Sequence, residues 1–404
     1  MKVTQVRVEA HPLTLTRPIG DANDPVGQWH QRQLVIALDT DEGLVGYAVA
    51  VPGCLGVLPV FADVVIGKDP AGVRGLWEAM VGRAFKAGVN GMTRVAIAAL
   101  DVALWDLKAQ ANSEPLWRTL GATASSVPVY ASGIEMPLGD AELVEYYRRQ
   151  STHGISFGKI KVGRDRDDDL RRLRLAAQAL AESGKPVRLA VDANEYWSAK
   201  TAIPWVRALE QEHPLVWVEE PCPRRDVRAL ARVSAGVDAA VATGENLNLV
   251  DEFLPLLLGG AVDVVQVGIQ TTGISGALRV AETAAGFGLP VATVNCPGHV
   301  IAHLAAVLPN HLALEVLDAG EDALLEVDHT LGDGHLKLGS RPGHGVRPRA
   351  GLPVTDVLPR TGAAVLPGRG PGAGLLPPGF TPRSNTTGRI TDHTTGCITD
   401  HTRD

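Results

Sequence analysis

The chain has 404 residues, 45% hydrophobic and 21% charged, with a formal net charge of −7, a make-up that allows two domains or one barrel with additions. The acidic balance and the absence of a dense Lys/Arg run argue against nucleic acid as a partner. Cys54, Cys222, Cys296 and Cys397 lack CxxC or disulfide-scaffold spacing; with no signal-peptide core and no apolar run of the ~18–20 residues that span a bilayer, a cytoplasmic protein without membrane contact is expected.

Residues 1–50 read as strands. Val3 to Glu9 alternates polar and apolar, and Gln33–Asp39 leads through an Asp41–Gly43 turn into Leu44–Val49. Arg17 to Gln28, rich in Gly, Pro, Asp and Asn, is expected to be a mobile loop. Residues 60–122 turn helical. Met92 to Gln110 is apolar on nearly every face, broken by Asp101 and Asp106, which predicts a deeply buried helix ending at the Asn112–Pro115 break. An α+β capping domain over residues 1–125 follows.

From Val127 strands and helices alternate. Candidate strands begin near Val127, Phe157, Val187, Leu215, Ala239, Val262, Pro290 and His311, and helical stretches such as Asp168 to Ser183 fill the gaps. Eight strands at βαβ spacing favour a closed parallel barrel over residues 126–321, and no GxGxxG supports a dinucleotide fold. Residues 322–360 return to short strand-like pieces such as Leu336–Leu338, expected to pack back on the capping domain. The segment 361–404 is rich in Gly, Pro and Thr and repeats Ile390–Thr394 as Ile398–Thr402. It is expected to be a disordered tail, with metal binding by its two histidines as the alternative.

Three carboxylates end apolar runs within the barrel: Asp192, Glu219 and Glu245, spaced 27 and 26 residues apart. One strand-plus-helix unit occupies about that length, so the acids come from successive strand ends and converge on the C-terminal rim. Such a rim suits a hard divalent cation. Taken singly, Asp192 could be a helix cap, Glu219 or Glu220 a surface pair and Glu245 a loop acid. Glu220 should face away from Glu219 on a strand, which makes Glu219 the better ligand. Asn194, two residues past Asp192, could orient substrate or metal-bound water. In Phe157–Val162, Lys159 and Lys161 share the face opposite Ile160 and Val162, and in a barrel that face points into the mouth. Each ammonium is expected to depress the other's pKa, and a nearby cation to depress it further, which brings one amine nearer to service as a general base. A base beside a cation can remove a proton α to a carboxylate.

Together, Lys159-x-Lys161, Asp192-x-Asn194, Trp217–Pro221 and Gly244–Asn246 resemble the enolase superfamily in its mandelate racemase/muconate lactonizing branch, as does the Ala99–Leu107 helix followed by Pro115-Leu116 and Leu120-Gly121. The resemblance covers about residues 1–350. It implies an α/β fold, a (β/α)7β-type modified TIM barrel with an α+β cap, assembling as dimers or octamers. It implies Mg2+ on Asp192, Glu219 and Glu245, Lys161 as base on the second barrel strand, and Lys159 as its pKa-lowering neighbour. The Arg17–Gln28 loop would close over a small carboxylate substrate. Glu315, in the last strand, would hydrogen-bond the substrate carboxylate as it gains charge.

Two departures from that family matter. Its racemase-like members carry a seventh-strand His paired to a sixth-strand Asp. Counting back from His303, this chain has Asn295 at the first place and Val267 or Gly268 at the second, and the lysine used there by muconate lactonizing relatives is also missing. Asp263 matches only a common structural acid. Two-base racemisation is therefore disfavoured, and Lys161 alone could take the α-proton and return it to a leaving hydroxyl. The expectation is a Mg2+-dependent dehydratase of a hydroxy acid such as an acid sugar. A cycloisomerase or epimerase is the alternative, and a non-catalytic carboxylate-binding protein the third reading. Asn295 can donate to substrate, while His299 either replaces the lost His or is a helix-start residue with a satisfied hydrogen bond.

Overall fold

The computed structural model describes residues 1–354, except 87 and 89, and the backbone of 356 and 357. The segment expected to be a disordered tail, 361–404, lies outside the described residues. None of the described helices is long and apolar enough to cross a membrane.

Strands β1 (Val3–Ile19), β2 (Gln28–Thr40) and β3 (Val45–Ala50) form an antiparallel meander. Helices α1 (Leu58–Val65), α2 (Val73–Arg83) and α3 (Met92–Ala111) follow. Leu34, Ile36, Leu38 and Phe61 are almost wholly buried, each contributing about 1.5–3 kcal/mol by leaving water. The expected loop from Arg17 to Gln28 is shorter than its composition suggested, because β1 continues through Ile19 and only 20–27 connects to β2. That connection is fastened to the barrel, with Gly20 N donating to Ile134 O at 2.8 Å and Arg164 Nη1 to Ala22 O at 2.9 Å.

Helix α3 is apolar all round because it is covered on two sides. Gly46 of β3 lies so close to it that a Cβ there would sit 2.3 Å from Ala103 O. On its other side is the barrel helix Ile269–Gly286. That helix breaks at Gly273 (φ 68°), where a Cβ would meet Asp101 Oδ2 at 2.6 Å. The two aspartates inside α3 are hubs for this packing. Asp101 accepts from Ser275 N at 2.8 Å and Ser275 Oγ at 2.6 Å. Asp106 accepts from Tyr47 N at 3.0 Å and His344 N at 2.8 Å.

Eight parallel strands make the second unit: β4 (Ser126–Ser132), β5 (Phe157–Lys161), β6 (Arg188–Asp192), β7 (Leu215–Glu219), β8 (Ala240–Thr243), β9 (Val264–Val267), β10 (Val291–Thr293) and β11 (His311–Val316). Each pairs with the next, and β11 pairs with β4 through Leu314↔Val129, which closes the barrel. Helices follow the first seven strands, from Asp140–Thr152 to the single turn Ala302–Ala305, and no described helix follows β11. This is the (β/α)7β form that the strand spacing and the resemblance predicted. The barrel floor is one inward layer in which Tyr130, Phe157 and Trp217 meet edge-on or tilted opposite Ala190, Ala242, Ala292 and Ala313. Large rings facing alanines fill the interior without a pore. After β11, Leu336 pairs with Val127 of β4, and 356–357 pairs with β1.

Candidate active site at the C-terminal rim of the barrel

Two residues beyond the floor, inward positions turn from apolar to charged: Lys159 on β5, Asp192 on β6, Glu219 on β7 and Glu315 on β11, all buried. Period-two alternation places them there. Lys159 Nζ lies 2.6 Å from Glu219 Oε1, 2.9 Å from Glu315 Oε1 and 3.3 Å from Asp192 Oδ2. One step further out, Lys161 Nζ donates to Asp192 Oδ2 at 2.6 Å and to Asn194 Oδ1 at 2.7 Å. Asn194 N in turn donates to Asp192 Oδ1 at 2.9 Å. Trp217 Nε1 donates to Glu219 Oε2 at 3.1 Å, linking floor and site. Glu245 is half-buried, its Oε1 accepting from Asn246 Nδ2 at 2.9 Å.

Two further acids belong to the cluster although the sequence did not single them out. Glu220 was expected to face away from Glu219. The chain leaves strand geometry there (φ 38°), and Glu220 is only 1% exposed. Its carboxyl is pushed well up by burial and then by Glu245 and Asp192. Its signal was the unbroken Glu-Glu-Pro at a strand end, where strand alternation no longer applies. Glu135, fully buried, accepts from Lys161 N at 2.7 Å and so fixes the backbone that carries Lys161; no sequence pattern marked it. Asn194 (φ 43°) and Glu195 (φ 64°) also adopt left-handed backbone at the rim, a cost found at sites held by their surroundings.

The charges do not balance. Asp192, Glu219, Glu220, Glu245 and Glu315 face Lys159 and Lys161. Burial pushes Glu219 well up, with Asp192 adding to it, and Glu245 rises for the same two reasons. Burial also raises Asp192, but Lys161 and Lys159 outweigh it and hold the carboxyl low. Buried anions in excess need a cation, and oxygen donors on three adjacent strand ends fit a hard divalent ion.

Lys161 was expected to have a pKa depressed by Lys159 and by a nearby cation; the protein's own side chains set the following balance. Burial and Lys159 do pull it down, but Asp192 at 2.6 Å outweighs both and the net shift is upward; Lys159 is likewise raised, by Glu219 and Glu315 against its burial. Burial raises the Glu315 carboxyl, but Lys159 and Asn295 bring it down to about 2. It takes hydrogen bonds from Asn295 N at 3.0 Å and Nδ2 at 2.7 Å.

The β9 and β10 rim carries Val267, Gly268 and Asn295 and, among the described residues there, no acid–base pair. His299 lies in the turn Pro297–His299 (φ 49°), its ring edge-on to His329 at 5.1 Å. Neither ring nitrogen has a hydrogen-bond partner, so the satisfied helix-start role is not what the structure shows. A cleft of about 690 Å³ lies between cap and barrel, lined by Gln28, His30 and Val49 on one side and by Gln270, Asn295 and Glu321 on the other. The 20–27 connection reaches over the rim, Asn23 Nδ2 donating to Asn194 O at 2.9 Å.

Known proteins share this fold. The chain is 31% identical over 359 residues to the L-talarate/galactarate dehydratase of Salmonella typhimurium LT2, covering 85% of this chain and 88% of that protein. That dehydratase, solved with Mg and L-lyxarohydroxamate, superposes with a TM-score of 0.80 at 28% identity, over 88% of this chain and 94% of the other. A 3,6-anhydro-alpha-L-galactonate cycloisomerase of Streptomyces coelicolor is 29% identical over 353 residues, 85% of this chain and 96% of that enzyme. The mandelate racemase/muconate lactonizing enzyme N-terminal domain matches residues 3–121, and the enolase C-terminal domain-like family matches residues 142–351. The chain belongs to the mandelate racemase/muconate lactonizing enzyme family of the enolase superfamily.

Proposed function

We propose that this protein is a Mg2+-dependent lyase that dehydrates a hydroxy acid of the acid-sugar type, with Lys161 as its single acid–base group. The observation that carries the reading is the asymmetry of the rim: Lys161 Nζ sits at 2.6 Å from Asp192, while Val267, Gly268 and Asn295 offer no proton-transfer group on the other side. The dehydratase relative at 31% identity supports the substrate class. Asp192, Glu219 and Glu245 would hold the cation, which when bound supplies Lewis-acid stabilisation to the substrate carboxylate as its α-carbon becomes negative.

The side chains then divide the work. Once Asp192 engages the cation it would hold, its 2.6 Å pull on the Lys161 ammonium weakens and Lys159 favours the neutral amine; as that amine, Lys161 Nζ takes the α-proton and becomes the ammonium. The Cβ–O bond breaks as the Cα=Cβ bond forms, and the same ammonium gives its proton to the departing hydroxyl, so water leaves syn. Lys159, locked by Glu219 and Glu315, disfavours the ammonium form of its neighbour. Glu315 acts by holding Lys159 and Asn295, leaving the Asn295 amide as the hydrogen-bond donor on the far side of substrate. Asn194 ties the base to the 20–27 connection that covers the cleft. A cycloisomerase is the second reading, favoured by the Streptomyces relative and compatible with one base.

Incubation of the enzyme with Mg2+ and a panel of acid sugars in D2O tests this, with Lys161→Ala as control. Loss of water, with deuterium entering the product at the former β-carbon as the enol ketonises, supports the lyase. Exchange without water loss points to the isomerase. No exchange with any acid would leave a carboxylate-binding protein.

A further inference from the structure

Apart from the acid–lysine cluster, a second set of ligand-type side chains joins the exits of β10 and β11. His299 ends the turn after β10, and Glu321 and Asp322 lie in the loop after β11. One donor atom from each lies within 4.8 Å of the other two. We propose that His299, Glu321 and Asp322 form a second divalent-cation site, suited by its imidazole to an ion such as Co2+ or Zn2+ rather than Mg2+.

The spacing is that of ligands rather than of hydrogen-bond partners. His299 Nδ1 is 3.5 Å from Asp322 Oδ2, too long and unaligned to count as a hydrogen bond. Two donors at ~2.0–2.2 Å from one tetrahedral ion stand roughly 3.3–3.6 Å apart. Both ring nitrogens of His299 are buried without a hydrogen-bond partner, although the side chain is only 13% exposed. Polar atoms so enclosed ordinarily find a partner. The ring is held in place by His329 on one side and by a left-handed backbone that favours glycine over histidine.

The acids point the same way. Among the described residues, no lysine or arginine pairs with Glu321 or Asp322. Glu321 accepts from Asp318 N at 3.2 Å and Ala319 N at 2.7 Å, and Asp322 accepts from Gly298 N; each carboxylate keeps lone pairs in hand. A bound ion would also have a mechanical effect. Glu321 O accepts from Gln33 Nε2 of β2 at 3.2 Å, so the site would clamp two rim loops against the cap sheet beside the cleft.

The test is a Co2+ titration of the full chain at saturating Mg2+, read by equilibrium dialysis and by melting temperature. His299→Asn keeps a residue that tolerates left-handed backbone, and Asp322→Asn keeps an acceptor for Gly298 N; melting in Mg2+ alone checks that both fold. The wild type is expected to bind one Co2+ more than either variant and to melt higher with Co2+, a gain absent from both. Equal stoichiometry in all three proteins would overturn the site. So would an extra equivalent that disappears only when His393 and His401 are replaced by alanine, because the ion would then belong to the tail.

Discussion

The two arcs of the barrel rim were built to different specifications. From β5 to β8 every strand end carries charge, and the charges answer one another: Lys161 to Asp192, Lys159 to Glu219, with Glu220 and Glu245 in surplus. Among the described strand-end positions of β9 to β11 (Val267, Gly268, Asn295 and Glu315), the charged one is Glu315, which faces back across the barrel to Lys159 at 2.9 Å. Asn295 spends two hydrogen bonds holding it there. On β9, Gln266 points inward with neither amide atom paired. One arc can polarise a carboxylate and accept its α-proton. Among the described residues at the β9–β10 strand ends, Val267, Gly268 and Asn295 offer no group to deliver a proton to the opposite face, and the proposed one-face chemistry rests on that difference.

The comparison can be broken most directly at Lys161. Lys161→Ala should reduce α-proton exchange by about 10²–10⁴-fold, the usual contribution of a general base, with the melting temperature little changed. An exchange rate that survives, followed by NMR in D2O, would put the base on the other arc. Next in size, Glu219→Gln should weaken Mg2+ binding by about 100-fold or more in calorimetry, beyond the 10–100-fold typical of groups that only orient ligands. Unchanged affinity would move the cation towards Glu220.

The reverse experiment builds the missing half. Asn295→His with Gly268→Asp should add exchange from the second face, visible as epimerised substrate. A Cβ at position 268 would lie 2.7 Å from Val294 Cγ2, so Val294→Ala should accompany them. A triple variant that still exchanges on one face would show that more than this pair separates the arcs.

The smallest effect concerns the cap rather than the chemistry. Burial pushes Asp101 up to about 7, against its hydrogen bonds from Ser275. A carboxyl raised on folding stabilises most fully below its ordinary pKa of 3.8 and loses that contribution as pH rises through about 7. The stability of Asp101→Asn relative to wild type should therefore improve between pH 4 and 7 in denaturant melts. A flat difference would mean that the α3 contact to the helix Ile269–Gly286 does not depend on that proton.

The strand starts near Phe157, Leu215 and His311 were legible because each follows a helical stretch at βαβ spacing, and the barrel followed from their number. The carboxylates and lysines were legible because alternation dictates which side of a strand faces inward. Alternation fails where strands end. That is why Glu220, turned in by a left-handed backbone, was assigned to the wrong face, and why Arg17–Ile19 looked like loop when it ends β1, with Ile19 paired to Gln28. Ionisation was out of reach for the same reason. The sequence shows two lysines two residues apart, which should lower each other, but only the fold brings Asp192 and Glu219 within 2.6 Å of their ammoniums. The sequence by itself determined the barrel and the residues on its rim, since both depend on periodicity along the chain. The tertiary structure decided which charges meet. It also left His299 beside Glu321 and Asp322 without a hydrogen bond, because pairing depends on distances between residues far apart in sequence.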